Sequence, residues 1–334
     1  MSSKASITNE QELPKTGGSR VKERAFQIFS RYGMFIILIG LVILMSMLSP
    51  TFFTSANLIN IVRQVSVVGI IAIGVTFIII TKGIDLSSGS VVALVGVVAA
   101  SLAQIDKGYP LILVIAGALG VGLLTGIFNG TVIAKWNIAP FIVTLGMMTA
   151  ARGAALLLSN GRPIGNLSES FAFFGQGVIL GIPVPVIIFA LIAFVSYILL
   201  NKTKFGKYVY AIGGNEQAAV VAGVNVTKYK ILVYSYASIL TSIAGIILAS
   251  RVASGQPTAG LMYELDAIAS AVIGGTSLFG GIGTIGGTVI GALIIGVIQN
   301  GLDLLNVNSY WQQIIKGAII VTAVFIDTRK QKKL

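Results

Sequence analysis

Seven residues that can carry charge or exchange hydrogen bonds interrupt otherwise apolar runs: Asp85, Ser87, Asn129, Thr144, Arg152, Gln299 and Asn300. An ionised side chain in hydrocarbon costs about 2.5–3.5 kcal/mol on insertion scales, so Asp85 and Arg152 invite a functional reading. Asp85 sits in GIDLSSGS, followed by Ser87, Ser88 and Ser90; it either caps the helix that follows or lines a pathway. Asn129, Thr144, Gln299 and Asn300 are neutral donors and acceptors, a set that suits an uncharged polyol better than an ion. Taken singly, each also reads as an interhelical hydrogen bond. The chain has no histidine and no cysteine, which removes the usual metal ligand, the usual proton relay and thiolate chemistry. No catalytic residue, metal site or cofactor of its own is expected. A membrane-embedded enzyme would need paired acids or metal ligands facing one lumen. A phosphate loop of the form GxxxxGK[ST] is missing, because Gly206-Lys207 is followed by Tyr208; any ATP chemistry belongs to another chain.

The solvent for these residues follows from composition. The chain is 55% hydrophobic and 10% charged, with a mean hydropathy of +0.93, values that place it in a bilayer. About 20 apolar residues span the hydrocarbon core. Ten such runs lie near 33–49, 65–81, 89–105, 110–134, 137–158, 182–200, 231–250, 265–280, 284–300 and 311–327. The expected fold is an all-α polytopic membrane protein of about ten transmembrane helices, with soft boundaries at 82–90 and 274–287. With the amino terminus in the cytosol, 17 of the 23 basic residues fall inside, so the positive-inside rule puts both termini there. The net charge of +12 is then a matter of topology, and no nucleic acid is implied. Residues 1–31 read as a largely disordered cytosolic tail, 32–327 as the transmembrane domain and 328–334 as a basic cytosolic tail. Glu264 and Asp266 precede the eighth run on the outer side, where they cap it or meet an arriving partner protein. Lys316 is expected to snorkel to the interface. The outer segment 159–181 carries Phe171, Phe173 and Phe174 and reads as an interfacial element or as headgroup anchors.

One long polar stretch, 201–230, breaks the apolar pattern and faces the cytosol. Asn215 is a good helix cap, Glu216 places an acid in the first turn, and Gly223 suits the stop. With Gln217, Ala218, Ala219 and Ala222 this makes a short helix of small side chains that another protein's groove can approach closely. It lacks the large apolar and basic faces of a membrane-surface helix.

Residues 123–146 align without a gap on 294–317, with Asn129-Gly130 on Asn300-Gly301 and Gly146 on Gly317. That shift of five spans inverts the topology, so a five-plus-five inverted repeat is expected, with a central site about which two halves rock. The 40 glycines serve close helix packing, as in Gly122 with Gly126, or Gly283 with Gly287 and Gly291.

Four segments in order, GIDLSSGS, TLGMMTAARGAALLLSNGRPI, FGKYVYAIGGNEQAAVVAGVNV and the stretch from GGTSLFGG to IVTAV, resemble permease subunits of bacterial sugar ABC importers, nearest the ribose permease branch. The resemblance covers the chain from about Tyr32 to Asp327. It implies a multi-pass permease of the bacterial inner membrane that pairs into a homodimer and forms the pathway for a monosaccharide, ribose first. It implies two further partners, a cytosolic subunit that holds ATP and Mg, and an extracytoplasmic sugar-binding protein. The helix at Asn215–Gly223 would be the coupling helix. A gradient-driven secondary transporter of a small polar solute is the alternative, since inverted repeats and broken helices occur there too.

Overall fold

The computed structural model describes the backbone of residues 17–331 and the side chains of residues 33–325 and 327–329. Its elements are α1 (Gly17–Leu48), α2 (Ser55–Ile80), α3 (Ser88–Ala103), α4 (Leu111–Trp136), α5 (Pro140–Leu158), α6 (Glu169–Gln176), a hairpin of β1 (Val178–Ile179) and β2 (Ile182–Pro183), α7 (Val184–Lys202), α8 (Lys204–Gly214), α9 (Glu216–Val221), α10 (Val226–Arg251), α11 (Tyr263–Ile273), α12 (Ile285–Leu304) and α13 (Ser309–Gln331). Among the described residues, seven helices are long and apolar enough to cross a membrane: α2, α4, α5, α7, α10, α12 and α13. Two shorter apolar helices are the Gly33–Leu48 part of α1 and α3.

Two expected boundaries move. The run 265–280 is helical only as α11, whose 11 residues reach about 16 Å, half a bilayer core. The helix stops because the glycines beyond it turn the chain: Gly275, Gly280 and Gly281 all have positive φ, which side chains with a Cβ rarely adopt. The expected tail 1–31 overlaps α1, which starts at Gly17; residues 1–16 and 332–334 lie outside the described residues. In segment 159–181, Phe171 is fully buried and Phe173 is exposed. The α6 turn that carries Phe171 is pinned to the end of α10, where Ser250 Oγ accepts from the Gly175 N–H at 2.6 Å and donates to the Phe171 carbonyl at 2.7 Å.

α2 and α10 form the centre. α2 is apolar all round and 89% buried over its most hydrophobic stretch, whereas α4 and α5 bury less than a third of theirs. Small residues set the spacing. Gly122, Gly126 and Gly130 line one face of α4, and a Cβ at Gly126 would stand 2.7 Å from the backbone of Ser235 on α10. Gly291 and Gly287 do the same for α12 against the backbone of Ser270 and Gly274. Without a hydrophobic drive between helices in lipid, such close approach supplies the packing energy. α2 and α10 have the same length, 26 residues, and residue 55 stands to 226 as 80 stands to 251. That offset of 171 is the one at which 123–146 aligns with 294–317.

Candidate functional site

The first of three polar groupings lies between α2 and α3. α2 ends when Lys82 takes a left-handed φ of 62° and the Gly83 N–H returns to the Ile78 carbonyl at 2.9 Å, a common helix exit. The chain then runs without helix to Ser87. α3 packs beside only the later part of α10, with Gly96 against Ala249 and Gly245 against Val92, so its first turn starts well inside the bundle. Asp85 Oδ1 accepts from the Ser87 N–H at 2.8 Å and from Ser87 Oγ at 2.6 Å. Asn129 Nδ2 donates to Ser87 Oγ at 3.2 Å. The Ile84 carbonyl receives the Tyr234 hydroxyl at 3.3 Å and the Thr144 hydroxyl at 3.4 Å. Asp85, Ser87, Asn129 and Thr144 are thus brought together, each buried. Asp85 caps the turn that leads into α3 and belongs to an interior polar group at the same time. Asn129 Oδ1 and Ser88 Oγ are buried without a partner among the described residues, spare capacity that a water or a hydroxyl can use.

The second grouping surrounds the start of α11. After α10 the chain turns at Ala253, φ 50°, pairs Gly255 with Ile164 through two backbone bonds of 2.8 and 3.0 Å, and descends without helix to Met262. Arg152 Nη1 on α5 reaches this stretch and donates to the carbonyls of Pro257 at 2.6 Å and Ala259 at 2.9 Å. The starts of α3 and α11 touch. A Cβ at Gly89 would collide with the Gly260 carbonyl and the Glu264 carboxylate, and a Cβ at Gly260 would collide with the Gly89 carbonyl. Asp266 is buried and its Oδ2 receives Gln299 Nε2 at 2.9 Å and Lys316 Nζ at 3.0 Å. Glu264 and Asp266 therefore sit at an interior helix start, and Asp266 has no face to offer a partner protein. Lys316 pairs with Asp266 instead of reaching for the interface. Asn300 faces away from this group, in a reciprocal amide pair with Asn57 at 2.8 and 2.9 Å. Pairing of positions 50 apart on different helices leaves no periodic trace, which is why the sequence did not join Asp266 to Lys316.

The third grouping is the polar insert. Asn215 Oδ1 accepts from the Ala218 N–H at 3.0 Å and starts α9. The chain leaves through Gly223 at φ 82°. Glu216 is held by Lys230 of α10 at 2.7 and 2.8 Å. Gln217, Ala218 and Ala222 face outward, whereas Ala219 turns into a small core with Ile212 and Val226. The exposed apolar tip is Val221, 89% exposed, a residue the small-side-chain pattern did not single out. α8, also unforeseen as a separate helix, docks the insert to the bundle. Its Tyr210 hydroxyl donates to the Gly283 carbonyl at 2.7 Å, and burial pushes that phenol above its ordinary pKa, so it stays a donor. Lys82 Nζ reaches the Gly214 carbonyl at 3.3 Å, and the Gly281 N–H reaches the Ile80 carbonyl at 2.9 Å. Beside α9 opens a polar cavity of about 250 Å³ lined by Lys82, Asn137, Glu216, Lys230 and Tyr234 among others. Tyr234 links its wall to the Asp85 turn.

Residues 57–324 match the family described as branched-chain amino acid transport system / permease component. Among curated proteins, the chain is similar to the ribose import permease protein RbsC of Haemophilus influenzae, 48% identical over 88% of this chain and 91% of that protein. It is similar to RbsC of Bacillus subtilis, 47% identical over 91% and 94% of the two chains. The galactose/methyl galactoside import permease protein MglC of Escherichia coli is 40% identical over 93% and 98%. No solved structure matches the chain.

Proposed function

The chain belongs to the branched-chain amino acid transport system / permease component family, and from that premise we propose that it is the membrane permease of an ATP-driven importer of ribose. The observation that carries the sugar is the gradient of likeness: 48% and 47% identity to ribose import permeases against 40% to a galactose one, each across nearly the full chain. ATP and Mg reside on a separate cytosolic subunit, and a sugar-binding protein delivers cargo from the outside. The permease itself contributes a path and a coupling surface, with no chemistry of its own.

In this reading ten spans cross the bacterial inner membrane with both termini in the cytosol, α3 and α11 being the incomplete ones. Two inverted halves are supported by the shared offset of 171. It relates α2 to α10, the left-handed Lys82 to the left-handed Ala253, and Gly89 to the Gly260 that it touches. Interrupted helices at corresponding positions of two halves mark the region where a transporter handles its substrate. The positive ends of α3 and α11 and the neutral groups of Asn129 and Ser88 are donors and acceptors fit for a polyol. Two copies pair into a homodimer, for which the outward faces of α5 and α13 are available. α9 is the coupling helix, and ATP-driven movement there biases the halves between inward and outward states.

The test is ATP hydrolysis by the permease reconstituted with its ATPase in liposomes. Ribose-loaded binding protein is expected to stimulate hydrolysis and ribose uptake together. Stimulation only by another loaded sugar would replace ribose and keep the importer. Uptake driven by an ion gradient in ATP-depleted vesicles would overturn the importer itself.

A further inference from the structure

The two stretches without helix, 82–87 and 252–262, carry backbone carbonyls inside an apolar bundle, where an unpartnered polar group is costly. Each stretch is served by a side chain from the opposite half. Arg152, on α5 of the first half, donates to Pro257 and Ala259 in the second. Tyr234, on α10 of the second half, donates to Ile84 in the first. Gly89 and Gly260, which the offset of 171 relates, touch each other, each excluding a Cβ on the other, and Glu264 lies over Gly89 beside them. The glycine contact is the one a two-fold axis between the halves imposes; the offset takes Arg152 to Ala323 and Tyr234 to Arg63, so the two side-chain ties cross between the halves without being equivalents.

We propose that Arg152 and Tyr234 are crossed positioning residues that tie the two interrupted stretches together, so that neither opens without the other. The one nitrogen Nη1 of Arg152 ties the Pro257 and Ala259 carbonyls together and to α5. The Tyr234 hydroxyl sits at the end of a fully buried ring and holds the carbonyl one residue before Asp85. If the second stretch leaves α3, the Gly89–Gly260 contact is lost, α3 loses its neighbour, and the strain falls on the Tyr234 bond; the converse holds from the other side. The inference rests on the two-halved reading above. Its consequence is a concerted unlocking of both interrupted spans.

The absence of cysteine from the chain makes the test direct. Single cysteines at the half-buried Leu86, in the first stretch, and the half-buried Ala259, in the second, are compared with one at the exposed Ser170, using a membrane-permeant thiol reagent on the full permease in liposomes. Arg152→Met is expected to raise the modification rate at both 86 and 259, Tyr234→Phe to do the same, and Ser170 to stay level. Loss of one net hydrogen bond corresponds to about a five-fold increase in the open fraction, from about 1 kcal/mol. Arg152→Lys should restore part of the protection. If each substitution exposes only the stretch it touches, the two are independent and the proposal fails; it fails as well if neither rate changes. Should Arg152→Met also raise the rate at Ser170, the decision passes to Tyr234→Phe and Arg152→Lys, which keep side-chain volume. These rates are read without ATPase or sugar, so their failure leaves the importer reading standing, and failure of ribose stimulation leaves them standing.

Discussion

Asp266 is a carboxylate that the bundle can hold only while Lys316 and Gln299 hold it. Removing one member of a buried pair strands the other charge, a loss of about 3–5 kcal/mol; Lys316 keeps 21% of its side chain exposed, which sets the expectation at the lower end. Lys316→Met alone should therefore lower the thermal midpoint in detergent by several degrees. The double variant Lys316→Met with Asp266→Asn should recover most of it, because Gln299 can still donate to the amide oxygen. Equal midpoints for the single and double variants would refute the pairing. Asp85 makes a different claim. Asp85→Asn keeps an oxygen for the Ser87 N–H and should leave stability nearly intact, whereas Asp85→Ala removes both Ser87 bonds and should cost about 1–3 kcal/mol. A midpoint that falls as far for asparagine as for alanine would mean that the charge, and not the cap, is what the site requires. At this scale the sequence was legible where partners are close along the chain, as with Asp85 and Ser87. It was silent where they meet only through folding, as with Arg152 and Pro257.

Local signals delimit the short helices well. Asn215 as cap and Gly223 as stop bracket α9 because each acts on its own backbone, through a side-chain oxygen and through permissive φ. The run 265–280 misled for a related reason: it stays apolar past Ile273, and only the conformation of the glycines that follow ends α11. Orientation of the α9 side chains was not legible, since six residues define no stable period, and Val221 rather than Ala219 is presented. Val221→Asp should keep α9 folded and membrane insertion normal while reducing co-purification of the ATPase at least several-fold. Gly223→Val forces a Cβ into φ 82°, at a cost of about 1–2 kcal/mol, and should give the same loss through a displaced helix. Unchanged co-purification in both variants would move the contact away from α9.

In the two-halved reading proposed above, the equivalent connections differ most before α2 and α10. Between α1 and α2 the chain uses 49–54, while between α7 and α10 it uses 203–225, and the added length is α8 and α9. In an inverted arrangement these equivalent connections open on opposite faces, so the insertion gives the molecule one elaborated side. Lysines at 202, 204, 207, 228 and 230 give that side the basic excess that the positive-inside rule assigns to the cytosol, the sidedness proposed above. Its contacts reach both interrupted spans, through Lys82 to the stretch before α3 and through Tyr210 to the turn after α11. A push on α9 thus meets the beginning of one interrupted span and the end of the other, a geometry suited to shifting both at once. The sidedness can be read on the cysteine-free chain. In right-side-out vesicles, a cysteine at Ala218 should resist a membrane-impermeant maleimide until the membrane is opened, and one at Ser170 should react at once. The reverse pattern would invert the molecule and put the insert beyond the reach of any cytosolic ATPase. Reaction of both without permeabilisation would break the odd number of spans that must separate 170 from 218.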